Sequence, residues 1–130
     1  VSQPEPVRLS ARPIAIALIV DAVLVLVFAA IGRASHGEDV FGGLFVTAWP
    51  FLVGLVLGWL VAQAWRAPFE PWRTGLPVWA ITVAGGMLLR GVSGQGVQFA
   101  FIIVAASVLL VFLVGWRLIA RLVSRRRVRS

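Results

Sequence analysis

Asp21 is the first residue whose type and place call for chemistry. It stands eight residues into an apolar stretch, flanked by Leu18, Ile19, Val20, Ala22, Val23 and Leu24. A carboxylate inside a membrane-spanning helix costs on the order of 3 kcal/mol to insert, so it has to face water or a partner. An ionisable group at that depth suits a proton or cation site. The same residue also serves as a structural carboxyl hydrogen-bonded to neighbouring helices, or snorkels to the membrane face. A second cluster follows at the far end of the same stretch, where Arg33, Ser35, His36, Glu38 and Asp39 crowd into seven residues. Such a run binds an anion, gates an entrance through the titration of His36, or is simply a solvated turn. One short loop offers too few fixed ligands for a metal centre. Arg90 is the third candidate. Thr82, Gly86 and Arg90 recur at i, i+4 and i+8, so they share one helix face with Trp79 nearby, and Gln95 and Gln98 follow closely. A guanidinium beside two amides selects an anion, pairs with Glu38 or Asp39, or snorkels to the headgroups. A direct pair between Asp21 and this level is not expected, since about 18 Å of helix separates Asp21 from Arg33.

The elements that position these residues follow from composition. Of 130 residues 60% are hydrophobic and only 13% are charged, and the mean hydropathy is +0.97. A soluble domain of this size carries roughly a quarter charged residues and cannot hide so much apolar surface. The chain therefore reads as an integral membrane protein. Four apolar stretches approach the roughly 20 residues that a crossing takes. They cover about residues 13–32, 41–64, 75–91 and 97–119, within a transmembrane domain over 13–119. Residues 1–12 read as a disordered cytoplasmic lead-in and 120–130 as a basic cytoplasmic tail. The third stretch is short unless Arg90 lies at membrane depth. The expected fold is all-α, an antiparallel up-and-down bundle of four transmembrane helices.

The arginines orient it. The chain has twelve arginines, no lysine and a net charge of +7. Ten of them (Arg8, Arg12, Arg66, Arg73, Arg117, Arg121, Arg125, Arg126, Arg127 and Arg129) fall on one side of the predicted spans. Arg33 and Arg90 alone fall on the other. By the positive-inside rule both termini are cytoplasmic, in a multi-pass protein of the bacterial plasma membrane. The C-terminal arginines then meet anionic inner-leaflet lipid, at on the order of 1 kcal/mol each. No aromatic or folded reader accompanies them, so nucleic acid is not an expected partner.

Packing signals are concentrated in the second and third spans. Gly54 and Gly58 form a small-xxx-small pair, with Thr47 earlier in the same span and Gly86 in the third. Pro50 removes a backbone donor and frees the carbonyl of Val46, which kinks the helix or exposes a ligand oxygen.

Taken together, Asp21, Gly32, Arg33, Ser35, His36, Trp49, Pro50, Trp79, Thr82 and Arg90 form a pattern. Over about Ile14 to Trp116 the chain resembles a family of small prokaryotic four-span membrane proteins catalogued as a domain of unknown function. The resemblance implies the architecture and brings no activity. Small multidrug exporters also carry an acidic residue in their first span, a glutamate in a different context. Fluoride channels share a glycine-rich second span, but their Thr-Thr-Phe-Ser-Thr signature is missing here. Many members of both insert with weak charge bias and pair antiparallel, unlike a chain with a ten-to-two arginine split.

The absence of cysteine excludes disulfides, thiolate chemistry and iron–sulfur clusters. One histidine excludes bis-histidine haem within the chain and a histidine-rich zinc site. No cofactor, metal or catalytic residue is expected. A lipid- or quinone-acting enzyme wants clustered acidic ligands, and only Glu38 and Asp39 qualify. The leading expectation is a small proton-coupled solute or ion transporter or channel. It would act as a parallel homo-oligomer, with Asp21 as the intramembrane ionisable site and Arg33, His36, Glu38, Asp39, Arg90, Gln95 and Gln98 at the outer entrance. The alternative is a non-catalytic accessory or assembly subunit of a larger membrane complex.

Overall fold

The computed structural model describes residues 11–129, with side chains described to Arg126. The N-terminal lead-in lies almost wholly outside the described residues. Four α-helices follow in order: α1 (Ala11–Ser35), α2 (Val40–Ala62), α3 (Leu76–Val92) and α4 (Phe99–Arg129). Each, with α3 extended back to Pro71, is long and apolar enough to cross a membrane, and no strand occurs among the described residues. The chain is a multi-pass membrane protein.

Local chemistry sets the helix ends. Gly37 takes a left-handed φ of 70° in the turn after α1, a conformation glycine adopts without steric cost. Asp39 caps α2, its carboxylate accepting from the Gly42 amide at 3.1 Å. The connector from α2 to α3 holds a 3-10 turn at Ala64–Arg66 and a π turn at Pro71–Gly75. The π turn runs directly into α3, so the third candidate span is Pro71–Val92, 22 residues rather than a short 75–91. Proline tolerates the first turn of a helix, where its missing N–H would have no partner anyway. At the other end, α4 passes through the expected tail without a break and continues to Arg129. Leucine and arginine are good helix formers, and neither glycine nor proline interrupts them there.

Successive contacts show the helices running antiparallel. Asp21 meets Trp59 while Arg33 meets Thr47. Gly54 lies against Thr82 and Gly58 against Val78. Trp79 donates to the Ala106 carbonyl at 2.8 Å. The glycines of α2 thus pack inside the chain. A Cβ at Gly54 would stand 2.8 Å from the Thr82 carbonyl oxygen, so α2 and α3 touch backbone to backbone. Gly86 opposes the Phe51 ring in the same seam. Val25, Phe28, Phe51, Leu55, Leu109 and Leu113 fill the core between the helices.

The bundle therefore has two ends. The loop end carries the α1–α2 and α3–α4 turns. The terminal end carries the 63–75 connector and the outer parts of α1 and α4.

Candidate functional site

Chemistry gathers at both ends. Toward the terminal end, Asp21 is fully buried, and so is Arg117. Their side chains form a two-pronged ion pair: Arg117 Nη1 donates to Oδ1 at 2.9 Å and Nη2 to Oδ2 at 2.7 Å. The indole N–H groups of Trp59 and Trp116 each donate to one carboxylate oxygen at 2.8 Å. Both oxygens thus accept two donors. Arg117 is equally engaged. Its Nε donates to the Pro68 carbonyl at 2.9 Å and its Nη1 to the Leu113 carbonyl at 2.8 Å, and its guanidinium packs 4.7 Å from the Trp116 ring centroid. One network joins α1, α2, α4 and the connector.

The charge count places Arg117 on the cytoplasmic side with the other C-terminal arginines, and the structure corrects this: its side chain points into the bundle. A signal did exist. Leu118, Ile119, Ala120, Leu122 and Val123 extend the apolar run beyond Arg117. Arg117 stands twelve residues inside the end of α4, and Asp21 ten residues inside the described start of α1. In antiparallel helices those positions share a depth to within a few ångströms. A bidentate guanidinium–carboxylate pair is also the geometry that best offsets burial of two charges.

The loop end is open. A cleft of about 560 Å³ lies there between α1 and α4, lined by Arg33, His36, Glu38, Arg90, Gln95 and Gln98 among others. Six of the seven residues read as an outer entrance therefore come together around one space. Asp39 does not line it, because its carboxylate caps α2. Arg33 is held by its Nε on the Asp39 carbonyl at 2.7 Å and its Nη1 on Thr47 Oγ1 at 3.0 Å. It also pairs with Glu38 at 3.1 Å. Gly43 makes room for it, since any Cβ there would fall on the guanidinium.

Arg90 is fixed by a different set of contacts. Its Nε donates to the Gly96 carbonyl at 2.9 Å and its Nη1 to Gln95 Oε1 at 3.1 Å. The guanidinium stacks 4.4 Å above the Phe101 ring. Gln95 Nε2 in turn donates to the Val46 carbonyl at 3.1 Å, the oxygen that Pro50 leaves without its helical donor. Pro50 itself is buried in the bundle, so the kink proline and the cleft are parts of one arrangement.

Phe28 and Phe101 line the inner end of the cleft and Phe51 packs behind them, with ring centroids 5.3 to 6.2 Å apart. Thr82, grouped with Arg90 on one face, does not reach the cleft. It is buried in the α2–α3 seam and its hydroxyl has no partner among the described residues.

The whole of this arrangement, from Asp21 to Arg117, falls within the match to a known family, "Protein of unknown function (DUF3054)", whose model covers residues 18–120. The chain belongs to this family. In this DUF3054 chain the match takes in both the cleft and the ion-pair network, which are separated by the phenylalanine layer. Comparison with curated proteins and with solved structures gives no match. No group of three or more histidine, cysteine, aspartate or glutamate side chains that could hold a metal occurs among the described residues.

Proposed function

We propose that this protein is a small membrane carrier that receives its ligand in the loop-end cleft and is closed at the terminal end by the Asp21–Arg117 pair. The observation that carries this reading is the contrast between the ends. One is an open cleft with polar side chains at its rim and phenylalanines behind it, and the other is a buried ion pair with every oxygen satisfied. A protein that passes a ligand through a bilayer needs such an open and such a closed side, and a means of exchanging them. Asp21 is the ionisable group of the closed side, and opening it requires the carboxylate to give up its donors. The cleft is built by one chain, so a second copy is not needed to complete it.

With the ten-to-two arginine split, the cleft faces outward and the exposed Arg125 and Arg126 of the helical tail lie at an anionic inner leaflet. An accessory-subunit role has less to rest on. Gly54, Gly58 and Gly86 contact other helices of the same chain, and the indoles of Trp59, Trp79 and Trp116 donate within it. An enzymatic role would draw on His36 and Glu38, and Glu38 is already paired with Arg33.

The chain contains no cysteine, so single cysteines report access directly. Ala100→Cys lines the cleft, and Leu113→Cys lies beside the ion pair. In oriented vesicles, a membrane-impermeant maleimide should label Ala100→Cys from the loop side. Leu113→Cys should react slowly from the terminal side, and faster once Asp21→Asn is added. Failure to label Ala100→Cys from either side, or unchanged protection of Leu113→Cys in the Asp21→Asn background, would overturn the carrier reading.

A further inference from the structure

The cleft has two kinds of wall, and they are stacked along the helix axes. At the rim stand Arg33, Arg90, His36, Gln95 and Gln98. Below them the walls turn apolar, with Phe28 and Ala29 on α1 facing Ala100, Phe101 and Val104 on α4. The apolar wall runs down α4 to Val104, five residues past its start, a descent of about 8 Å at helical rise. Val104 is 53% exposed while Phe28 and Ala29 are buried, so the apolar wall is open on its α4 side. Among the described residues no hydrogen bond joins α1 to α4 at this end. Asp21 supplies all of the α1–α4 hydrogen bonds among the described residues, and it lies on the other side of the phenylalanine layer. The two helices are thus tied by hydrogen bonds at one end, while at the other they meet only through the Phe28–Phe101 contact below the cleft.

Charge narrows the occupant further. The lining carries two guanidinium groups and one carboxylate, Glu38, which leaves one positive charge unbalanced with His36 neutral. Neither Nη2 of Arg33 nor Nη2 of Arg90 donates a hydrogen bond to a described residue, and that of Arg33 is packed against Gly43 of α2. Both arginines are already oriented through their Nε and Nη1 atoms, so the unused N–H groups of Arg90 are held in place before any ligand arrives. A preorganised guanidinium with unused donors is suited to a carboxylate or phosphate oxygen. Glu38 is 53% exposed at the side chain and holds Arg33 by a single ion pair, so an incoming oxyanion can displace it at little cost.

We propose that the loop-end cleft binds a membrane amphiphile with a singly charged oxyanion head. The head sits between Arg33 and Arg90, with the amides of Gln95 and Gln98 beside it. The chain of the ligand lies along the α4 side of the cleft, against Ala100 and Val104. This rests on the reading of the cleft as the ligand entrance and names its substrate class. A free soluble oxyanion shares the head-group chemistry but would leave the apolar wall unused.

The test uses the full chain in phosphatidylcholine nanodiscs, with native mass spectrometry counting bound lipid as phosphatidylglycerol is added. The expected result is one phosphatidylglycerol retained per chain and not displaced by phosphatidylcholine. Arg90→Gln should weaken it by about tenfold or more, the loss of one charge-assisted contact, and Arg90→Lys by less. Helical circular dichroism on each variant shows that the bundle is intact. Inorganic phosphate and glycerol phosphate, which carry the head without the chain, should bind far more weakly. If they bind as tightly as phosphatidylglycerol, the amphiphile proposal falls while the cleft remains a ligand site. If phosphatidylglycerol binds but Arg33→Gln and Arg90→Gln change nothing, the lipid is at the outer surface and the proposal falls. If neither lipid nor soluble anion binds, the proposal and the cleft reading fall together.

Discussion

Removing either member of the Asp21–Arg117 pair should be the most damaging polar substitution in the molecule. Both side chains are 0% exposed and meet at 2.7 Å. Asp21→Asn keeps the volume but removes the counter-charge. Its amide nitrogen would also face N–H donors from Arg117 and an indole. Arg117→Gln leaves the carboxylate buried with two indoles as its only donors and strips the Pro68 carbonyl of its partner. Breaking a buried ion pair by deleting one partner costs about 3–5 kcal/mol, and that is the expected loss for each single variant. The double variant Asp21→Asn with Arg117→Gln removes both charges at once. Its cost should fall short of the sum of the singles by about 1–3 kcal/mol, the usual range for groups in direct contact. Unfolding by sodium dodecyl sulfate in mixed micelles, followed by tryptophan fluorescence, measures all three. Trp59 and Trp116 lie inside the network and report its loss. Single variants within about 1 kcal/mol of wild type, or strict additivity in the double variant, would refute the buried pair.

Two further predictions concern the α2–α3 seam. Gly54→Ala should destabilise by about 1–3 kcal/mol, because its new methyl meets the Thr82 carbonyl of the facing backbone. Gly32→Ala should be neutral or stabilising by up to about 1 kcal/mol, since nothing lies within 4 Å of a Cβ there and alanine is the better helix former. Equal effects in the same micelle titration would contradict the seam. Thr82→Val should stabilise by about 1 kcal/mol by replacing a buried hydroxyl that has no partner with a methyl of similar size. A loss of stability instead would mean that the hydroxyl is bonded.

Length and composition decided the architecture before any coordinate. Runs of about twenty apolar residues require helices in a bilayer, because a backbone without water must bond to itself. The loop-end grouping was also legible, since Arg33, His36, Glu38, Arg90, Gln95 and Gln98 all flank the same two turns. Pro50 likewise announced an unpaired carbonyl at Val46, though only the fold shows that Gln95 claims it. What the sequence could not supply was the direction each side chain faces. In a soluble helix an apolar stripe marks the buried face, but lipid is as apolar as a protein core, so these helices are apolar all round. Hydropathy therefore gives the depth of Asp21 and Arg117 and says nothing of their azimuth. For the same reason, Gly54 and Gly58 read equally well as contacts within a chain or between chains. The tertiary structure decided both by turning Arg117 inward onto Asp21 and laying the glycines against α3. It also left α1 and α4 meeting at the loop end only through the Phe28–Phe101 contact, because the hydrogen bonds between them lie on the other side of the phenylalanine layer.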